Sequence, residues 1–481
     1  MNKLDRENIE DIVSLTPMQE VMLFNYLNGQ GNKQYNEQTR YRISGDINPV
    51  LLKKALDFVA HNNEMLRTVY RWQGFRKPVQ VILKQYMFPI MEYDFSMESP
   101  EEAERLADRI EQKDRENRLD IAVHPFRIIL CRIDHKRYDI IITNHHIIYD
   151  GWSHAVFLKE LKDAYISFYL GREMQRPIKN RYKEFVKWLG RQDKDSQREF
   201  WKAYLEGFGH KTVIPYKANK PEESTEERYY EQALGEETVK LIKQYCKDHN
   251  VTLATFIYGT WGMLLHKYTG NRDIVFGVTL SGRTAEIKGI ESMVGLFINT
   301  LPLRIEVSPE EEINSFMEKV SRTLGRIEEY EASLLVEVRT WSAPDHRDSL
   351  FDVVVVLQNY PMDGELITGN GIFDIKLHSR SYKTGIPMTL GVRAFDGVLL
   401  DVTYNAGLYD ESNIKKMVER YKRIINQITD AGPGGIKSMS SLRIKEIEIM
   451  DIAEKQGVLD KIRQDVDGLM QMNEVDFNEI F

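Results

Sequence analysis

The chain alternates strand-like and helix-like patterns along its whole length, and this alternation most constrains how it can fold. Residues 39–43, 66–72 and 138–143 have the spacing of strands, whereas residues 49–60 and 152–169 repeat apolar side chains at helical spacing. A polar stretch at residues 217–227 looks like an exposed linker, and after it the alternation begins again. The sequence therefore predicts an α/β or α+β fold.

The second half of the chain contains its own set of helices and strands. Its strongest hairpin signal is Asp396-Gly397, which separates two strand-like segments, and a glycine-rich segment at residues 432–435 marks its end. Helices are predicted at residues 236–247, 252–268 and 413–429, and strands at residues 273–279, 299–307, 351–357, 372–378, 388–395 and 398–404.

Length and composition limit the class of protein. A chain of 481 residues is too long for one hydrophobic core, so we expect two domains or large lobes. The formal net charge of −8 argues against nucleic acid or an anionic membrane as the main partner. Only Cys131 and Cys246 are present, so no disulfide framework is possible and a reducing cytoplasm is expected. No apolar run approaches the ~20 residues of a membrane span.

The segment most suggestive of chemistry follows the strand at residues 138–143. That strand runs directly into His145-His146, and a helix begins near Trp152, so the histidines lie on a strand-to-helix connection. Asp150 occupies the position of a helix N-cap, and Gly151 permits a tight turn. Backbone N–H groups at a helix start can face an oxyanion, and a histidine there can accept a proton.

Other interpretations of the same residues stay open. Two adjacent histidines can bind a metal, but no third ligand stands at standard zinc spacing, so no metal site is predicted. Because neighbours on a strand point to opposite faces, one histidine, His145, is expected to be a core residue. Asp150 can be a helix cap or half of a buried ion pair. No nucleophile–base set stands beside the motif, which suggests direct transfer from a thioester, and no nucleotide-binding glycine motif is present.

The motif His145-His146-x-x-x-Asp150-Gly151 resembles the signature of the condensation domains of nonribosomal peptide synthetases, which CoA-dependent acyltransferases share. Further segments resemble other motifs of that family in the family's order and extend the resemblance over about residues 10–430. The sixth motif, at residues 330–335, and the seventh, at residues 347–351, depart from the family pattern. The matching segments are residues 15–24, 61–70, 182–188, 200–201, 281–283 and 293–304.

The resemblance implies a V-shaped pseudo-dimer of two lobes, each similar to chloramphenicol acetyltransferase, with a central tunnel. On this basis we expect an N-terminal lobe at residues 1–180 and a C-terminal lobe at residues 181–435. Residues 436–481 are expected to form a helical tail, either a capping helix or a docking segment for a partner.

The resemblance also implies an activity. Two carrier proteins, one upstream and one downstream, would insert phosphopantetheine arms into the tunnel. The donor arm would carry an acyl or peptidyl thioester and the acceptor arm an aminoacyl thioester, and an amide bond would join them. No intrinsic cofactor is expected, since the substrates arrive on the carriers' 4′-phosphopantetheine. An adenylation domain is a further expected partner, whereas nucleic acid and membrane are not.

Roles follow for residues that match the family's motifs. His146 would position or deprotonate the amine, and the Gly151 N–H would stabilise the tetrahedral oxyanion. Asp150 would be mainly structural, with Arg283 as its ion-pair partner. The remaining residues are expected to order the site, with ordinary packing and capping as the alternative: His145, Arg67, Trp152, Ser153, Asn299 and Thr300.

Rival functions remain. An epimerization domain would share the histidine motif, but Gly151-Trp152 and Asn299-Thr300 favour condensation. A CoA-dependent or ester-forming acyltransferase would work with a free acyl-CoA. A non-catalytic recruitment module would be expected to lose His146 or Gly151, and both are present. The chain is interpreted either as a free-standing enzyme or as a piece of a larger synthetase. Residues 17–20 resemble the first motif of subtypes that accept a D-configured donor residue.

Overall fold

The computed structural model describes most of residues 4–460. The expected linker before Glu227, the glycine-rich residues 432–435 and most of the expected tail lie outside the described residues. The stretches that are not described within this span are residues 29–33, 46, 87, 176, 210, 215–226, 343–348, 359–370, 383–384, 395–396, 430–441, 453 and 458–459.

Strands occur throughout the chain and close to the positions that the sequence predicts. One prediction needs correction, because the segment expected to be a strand at residues 66–72 begins as a 3₁₀ turn, Glu64–Arg67. The strands are β1 (Ile9–Ser14), β2 (Asn36–Gly45), β3 (Thr68–Arg71), β4 (Val79–Leu83), β5 (Ile90–Asp94), β6 (Phe126–Arg132), β7 (Arg137–His145), β8 (Glu227–Ala233), β9 (Asp273–Leu280), β10 (Asn299–Glu306), β11 (Val353–Gln358), β12 (Phe373–Tyr382), β13 (Met388–Arg393) and β14 (Leu399–Asn405).

Helices alternate with these strands, which confirms the mixed α/β class. Among the described residues, no helix has the length and apolar character needed to cross a membrane. The helices are α1 (Pro17–Asn28), α2 (Pro49–Asn62), α3 (Pro100–Glu116), α4 (Gly151–Tyr169), α5 (Tyr182–Gly190), α6 (Lys194–Leu205), α7 (Glu236–Asp248), α8 (Leu253–Thr269), α9 (Ile313–Glu328), α10 (Leu335–Ser342) and α11 (Glu411–Thr429).

The N-terminal part is built around a sheet with the strand order β12-β2-β7-β6-β5, beside a small sheet of β1, β4 and β3. Strand β7 is central, and its three consecutive isoleucines are buried because both faces of the sheet are covered. Ile140 and Ile142 belong to the core that includes α2 and α4, whereas Ile141 packs with the apolar side of α3.

The C-terminal part has a second sheet with the order β10-β9-β11-β13-β14-β8. Helices α7, α8, α9 and α11 contribute to the core of this part. The predicted hairpin is confirmed, since β13 and β14 pair antiparallel with Arg393 opposite Leu399, although Asp396 lies outside the described residues.

One strand crosses between the two parts. Strand β12 lies in the C-terminal half of the chain, yet it pairs antiparallel with β2, with Phe373 opposite Gly45. The loop before β10 also crosses, because Val294 and Leu296 are buried in the N-terminal core. The division at residue 180 remains a prediction, but the N-terminal sheet is not made from residues 1–180 alone.

Candidate active site

The candidate site lies where β7 gives way to α4. Strand β7 ends at His145, and α4 begins at Gly151. Asp150 is the N-cap of α4, as the sequence predicted, and its Oδ1 accepts a hydrogen bond from the Ser153 amide at 2.8 Å. The amide of Gly151 belongs to the first helical turn, where N–H groups have no acceptor within the helix. The turn thus holds an amide donor a few residues after the two histidines.

His145 is a buried residue of the core. Its Nδ1 accepts the Ile147 N–H at 3.1 Å, and the edge of its ring meets the ring of Tyr26. Burial, with smaller contributions from the charges of His146 and Arg118, lowers the pKa of His145 to about 3. The ring is therefore neutral at physiological pH, which fits the interpretation of His145 as a structural residue.

His146 differs from its neighbour because it keeps part of its surface exposed. Its Nδ1 lies 2.7 Å from the Tyr149 carbonyl oxygen, and its backbone amide donates to the Tyr35 carbonyl oxygen at 2.7 Å. A carbonyl oxygen only accepts, so Nδ1 must carry the hydrogen, and Nε2 of the neutral ring is left with a free lone pair. The Tyr149 carbonyl oxygen thus fixes the orientation of the ring and leaves Nε2 as the nitrogen that can accept a proton.

Asp150 joins the two parts of the molecule. Its carboxylate is fully buried and forms the expected ion pair with Arg283, with Oδ1 3.2 Å from Nη2. Its Oδ2 accepts the Phe297 N–H at 2.9 Å. Arg283 also donates to the Ser153 hydroxyl oxygen at 2.8 Å and stacks over the Phe297 ring. The loop before β10 is therefore fixed against the start of α4.

Ser153 and Gly295 strengthen the same junction. The Ser153 hydroxyl donates to the Gly295 carbonyl oxygen at 2.8 Å and accepts the Gly295 N–H at 3.0 Å. The Gly295 carbonyl oxygen also accepts the Asp150 N–H at 3.1 Å. A Cβ at position 295 would lie 2.5 Å from the Tyr182 ring, so only glycine fits without movement. Gly295 lies inside a motif segment, but its contacts could not be read from the sequence.

The other expected ordering residues are spread around the site. Trp152 Nε1 donates to the Glu291 carbonyl oxygen at 2.8 Å. Arg67 is buried, and its Nη1 lies 2.7 Å from a Glu10 carboxylate oxygen. Asn299 donates to the Glu331 carbonyl oxygen at 2.7 Å, and its own Oδ1 accepts the Thr300 N–H at 2.9 Å. These contacts fit the expected ordering role, which stays a prediction.

A cavity of about 640 Å³ opens beside the start of α4. Gly151 and His154 line it from α4, and Thr39 and Tyr41 line it from β2. Residues of β8, α7, β12, β13 and the start of β14 form the remaining wall. The cavity therefore lies between the two parts and reaches the candidate oxyanion donor at Gly151.

Three further residues of this region escaped the sequence reasoning. His154 is buried between two tyrosines, with Nε2 2.9 Å from the Tyr41 hydroxyl, and burial lowers its pKa to about 4. Glu37 of β2 forms a buried ion pair with Arg380 of β12. His154 follows the motif by three residues and was detectable, whereas the pairing of β2 with β12 left no local signal.

The comparisons with known proteins now identify the family. The family model for the condensation domain matches residues 9–450, so the chain belongs to the condensation-domain family. Tyrocidine synthase 2 of Brevibacillus parabrevis is 28% identical over 466 residues, which cover 96% of this chain and 13% of that protein. Surfactin synthase subunit 3 of Bacillus subtilis (strain 168) is 26% identical, over 94% of this chain and 35% of that protein.

Solved structures support the same fold. The first condensation domain of the calcium-dependent antibiotic synthetase, in complex with a substrate analogue, has a TM-score of 0.75 and 17% identity and covers 92% of this chain and all of that one. The complex of the X-domain and OxyB from teicoplanin biosynthesis has a TM-score of 0.72 and 19% identity, over 93% of this chain and 98% of that one. The chain spans only a small part of the curated relatives that it matches, as the coverage of tyrocidine synthase 2 shows.

Proposed function

We propose that this chain catalyses formation of an amide bond between a donor acyl or peptidyl thioester and the amine of an acceptor aminoacyl thioester. The observation that carries the proposal is the state of His146, whose Nδ1 is committed to the Tyr149 carbonyl oxygen at 2.7 Å. Its Nε2 can accept a proton from the acceptor amine, and the Gly151 N–H lies five residues further along the same turn. Membership of the condensation-domain family supports the same chemistry.

The reaction follows from these groups. The acceptor nitrogen bonds to the thioester carbonyl carbon while the carbonyl π electrons move to oxygen, which the Gly151 N–H stabilises. His146 Nε2 takes a proton from the nitrogen, which is positively charged at that stage. The oxygen lone pair then re-forms the carbonyl, the C–S bond breaks, and the thiolate leaves with the proton from His146.

The thioester is an activated acyl group, so the demands on the protein are modest. Positioning two tethered reactants supplies much of the acceleration, and one general base adds typically ~10²–10⁴-fold. Asp150 and Arg283 serve this positioning, since they fix the start of α4 to the loop before β10. We therefore assign His146 and Gly151 to the reaction and Asp150 to the geometry of the site.

The substrates would arrive on the phosphopantetheine arms of an upstream and a downstream carrier protein. The cavity that reaches Gly151 would admit one arm. The tunnel that the family resemblance implies would bring the other arm to His146. An adenylation domain would load the carriers. No cofactor bound by the chain itself enters this scheme.

The direct test uses the full chain with two separately purified carrier proteins, one loaded with a panel of acyl or peptidyl groups and the other with a panel of amino acids. Mass spectrometry of the acceptor arm should show a new amide product that needs both carriers. A parallel reaction supplies free acyl-CoA with amine or alcohol acceptors and no carrier. Transfer in that reaction alone would make the chain a CoA-dependent or ester-forming acyltransferase, and carrier binding without transfer would make it a recruitment module.

A further inference from the structure

Glu37 places a carboxylate close to the candidate site. It lies in β2 directly opposite Asn144 of β7, the residue before the two histidines. Side chains alternate along a strand, so Glu37 shares its face with Thr39 and Tyr41, which line the cavity. A carboxylate at this point is costly to bury unless charged or polar partners surround it.

Arg380 supplies the main partner from the crossing strand β12. Its Nε and Nη2 both donate to Glu37 Oε1, at 3.1 and 2.5 Å, and Arg380 also lines the cavity. The Glu37 side chain is only 4% exposed. A buried carboxylate from the N-terminal sheet is therefore held by a guanidinium that the C-terminal half of the chain provides.

The second carboxylate oxygen of Glu37, Oε2, does not hydrogen-bond to Arg380. Neither Glu37 Oε2 nor Asn144 Nδ2 has a hydrogen-bond partner among the described residues, and both atoms are buried. Burial acts to raise the pKa of Glu37, but the charge and hydrogen bonds of Arg380, with the charges that His146 and His154 carry at the low pH where this carboxyl titrates, lower it to about 2. The carboxylate is thus ionised at neutral pH and lies within electrostatic range of both histidines.

We propose that Glu37, held by Arg380, is a positioning residue for the reaction, whose negative charge stabilises the positive charge that forms on the attacking nitrogen and then on His146. This inference rests on the proposed function. Glu37 Oε2 is buried, so the carboxylate acts through its field and not by contact with substrate. Arg380 offsets part of this field, but little water screens the remainder in a partly buried site.

The attack needs such a charge because it separates charge. When the nitrogen bonds to the carbonyl carbon, the adduct carries a positive nitrogen and a negative oxygen, and the Gly151 amide faces only the negative end. Transfer of a proton to His146 moves the positive charge to the imidazole without removing it. Glu37 complements the positive end in both stages, so its effect belongs to kcat and not to binding of the donor.

A purely structural role for the ion pair is the alternative, and a set of variants separates the two. Glu37→Gln keeps the shape and removes the charge, and Glu37→Asp keeps the charge. The double variant Glu37→Gln/Arg380→Gln removes both charges and restores neutrality. A control is Asp273→Asn, because Asp273 and Arg304 form a more exposed diagonal cross-strand pair, at 2.9 and 2.8 Å, in strands β9 and β10.

Each variant is measured for melting temperature and for kcat and KM of peptide transfer between loaded carrier proteins. Glu37→Gln should lower kcat by about tenfold, which corresponds to a loss of about 1.4 kcal/mol of transition-state stabilisation, with KM for the donor changed less than about twofold. The double variant should regain melting temperature without regaining kcat, and Glu37→Asp should regain part of kcat. Asp273→Asn should lower only the melting temperature.

Recovery of kcat in the double variant, or an unchanged kcat in Glu37→Gln, would overturn the inference and leave a structural ion pair. Both outcomes require that the wild-type protein forms the amide product in the same assay. Absence of product from wild type with every loaded pair would instead count against the proposed function itself.

Discussion

Two strand-to-helix turns in this molecule have the same plan, but only one carries histidines. Strand β7 ends at His145 and α4 begins at Gly151, whereas β14 ends at Asn405 and α11 begins at Glu411. Both helices are 19 residues long. Each part of the molecule therefore contains one copy of the same local architecture, as expected for two similar lobes.

One side-chain hydrogen bond at the end of β7 has a counterpart at the end of β14. His145 Nδ1 accepts the Ile147 N–H at 3.1 Å, and Asn405 Oδ1 accepts the Gly407 N–H at 2.8 Å. In both cases the side chain of the last strand residue binds the amide two residues later. A histidine and an asparagine thus perform the same structural task, so the shape of the turn does not depend on the chemistry proposed for one copy.

The two turns differ in what surrounds their aspartates. Asp150 and Asp410 each accept a helical N–H through the backbone carbonyl, from His154 at 2.9 Å and from Ile414 at 3.1 Å. The Asp150 side chain is buried against Arg283, but Asp410 is exposed. The backbone forms a turn in both parts. Only the turn between β7 and α4 also has the Asp150–Arg283 contact and His146. Substitutions that remove the histidine or the Asp150–Arg283 contact, or that exchange residues between the two turns, test what each contributes.

The largest effect is expected at position 146, where the second turn has Ala406. His146→Ala should lower kcat of peptide transfer by about 10²–10⁴-fold, because a general base is lost. The melting temperature should change little, since His146 is partly exposed. Single-turnover transfer between loaded carrier proteins and thermal unfolding give the two readouts.

A matched control for this variant is His61→Ala. The His61 ring also binds a carbonyl oxygen, that of Asp57 at 2.7 Å, but it lies on α2. Transfer should be unaffected in that variant. Equal rates for wild type and His146→Ala would remove His146 from the mechanism and make the two turns chemically equivalent.

Asp150→Ala should have the second largest effect, on stability. The variant leaves the buried guanidinium of Arg283 without its carboxylate partner. Breaking a buried ion pair costs about 3–5 kcal/mol of folding free energy. A urea unfolding curve and the soluble yield measure this loss. A melting temperature equal to that of wild type would contradict the importance of the Asp150–Arg283 contact.

His145→Asn places the residue of the second turn in the first and keeps an acceptor for the Ile147 N–H. The pKa of His145 is about 3 in the folded protein and about 6.5 when unfolded, so below pH 6.5 the unfolded chain binds a proton that the folded chain does not. Folding stability should therefore fall by about 1.4 kcal/mol per pH unit on this account as the pH decreases toward 3.

Urea unfolding of wild type and His145→Asn at pH 7, 6 and 5 tests this expectation. The variant should lose less stability on acidification, although His154, with a pKa of about 4, keeps part of the dependence in both proteins. Parallel pH dependences would show that His145 does not titrate on unfolding.

The smallest effect is expected for Asp410→Ala. Its carboxylate is exposed, so the variant should lose about 1 kcal/mol or less, the scale of a helix-cap contribution. Comparison with Asp150→Ala under the same conditions gives the contribution of the buried contact with Arg283 to the free energy of unfolding. A loss as large as that of Asp150→Ala would mean that the ion pair with Arg283 is not what makes Asp150 important for stability.

Local features of the site could be predicted from the sequence. The buried strand, the N-cap at Asp150 and the core position of His145 follow from neighbouring residues, and the Arg283 partnership came from the family resemblance. The Glu37–Arg380 pair could not be found in this way, because β12 meets β2 only through the tertiary fold. The contacts of Gly295 were missed for the same reason, since a glycine has no side chain to indicate its partners.

The crossing strand β12 also bears on how the protein is made. During synthesis, β2 leaves the ribosome long before the segment that pairs with its outer edge from Glu37 to Gly45. Until then that edge carries unpaired amides and carbonyls, which invite pairing with other nascent chains. Engineers who exchange halves between synthetases would inherit the same exposure, so a hybrid needs a β12 matched to its new β2.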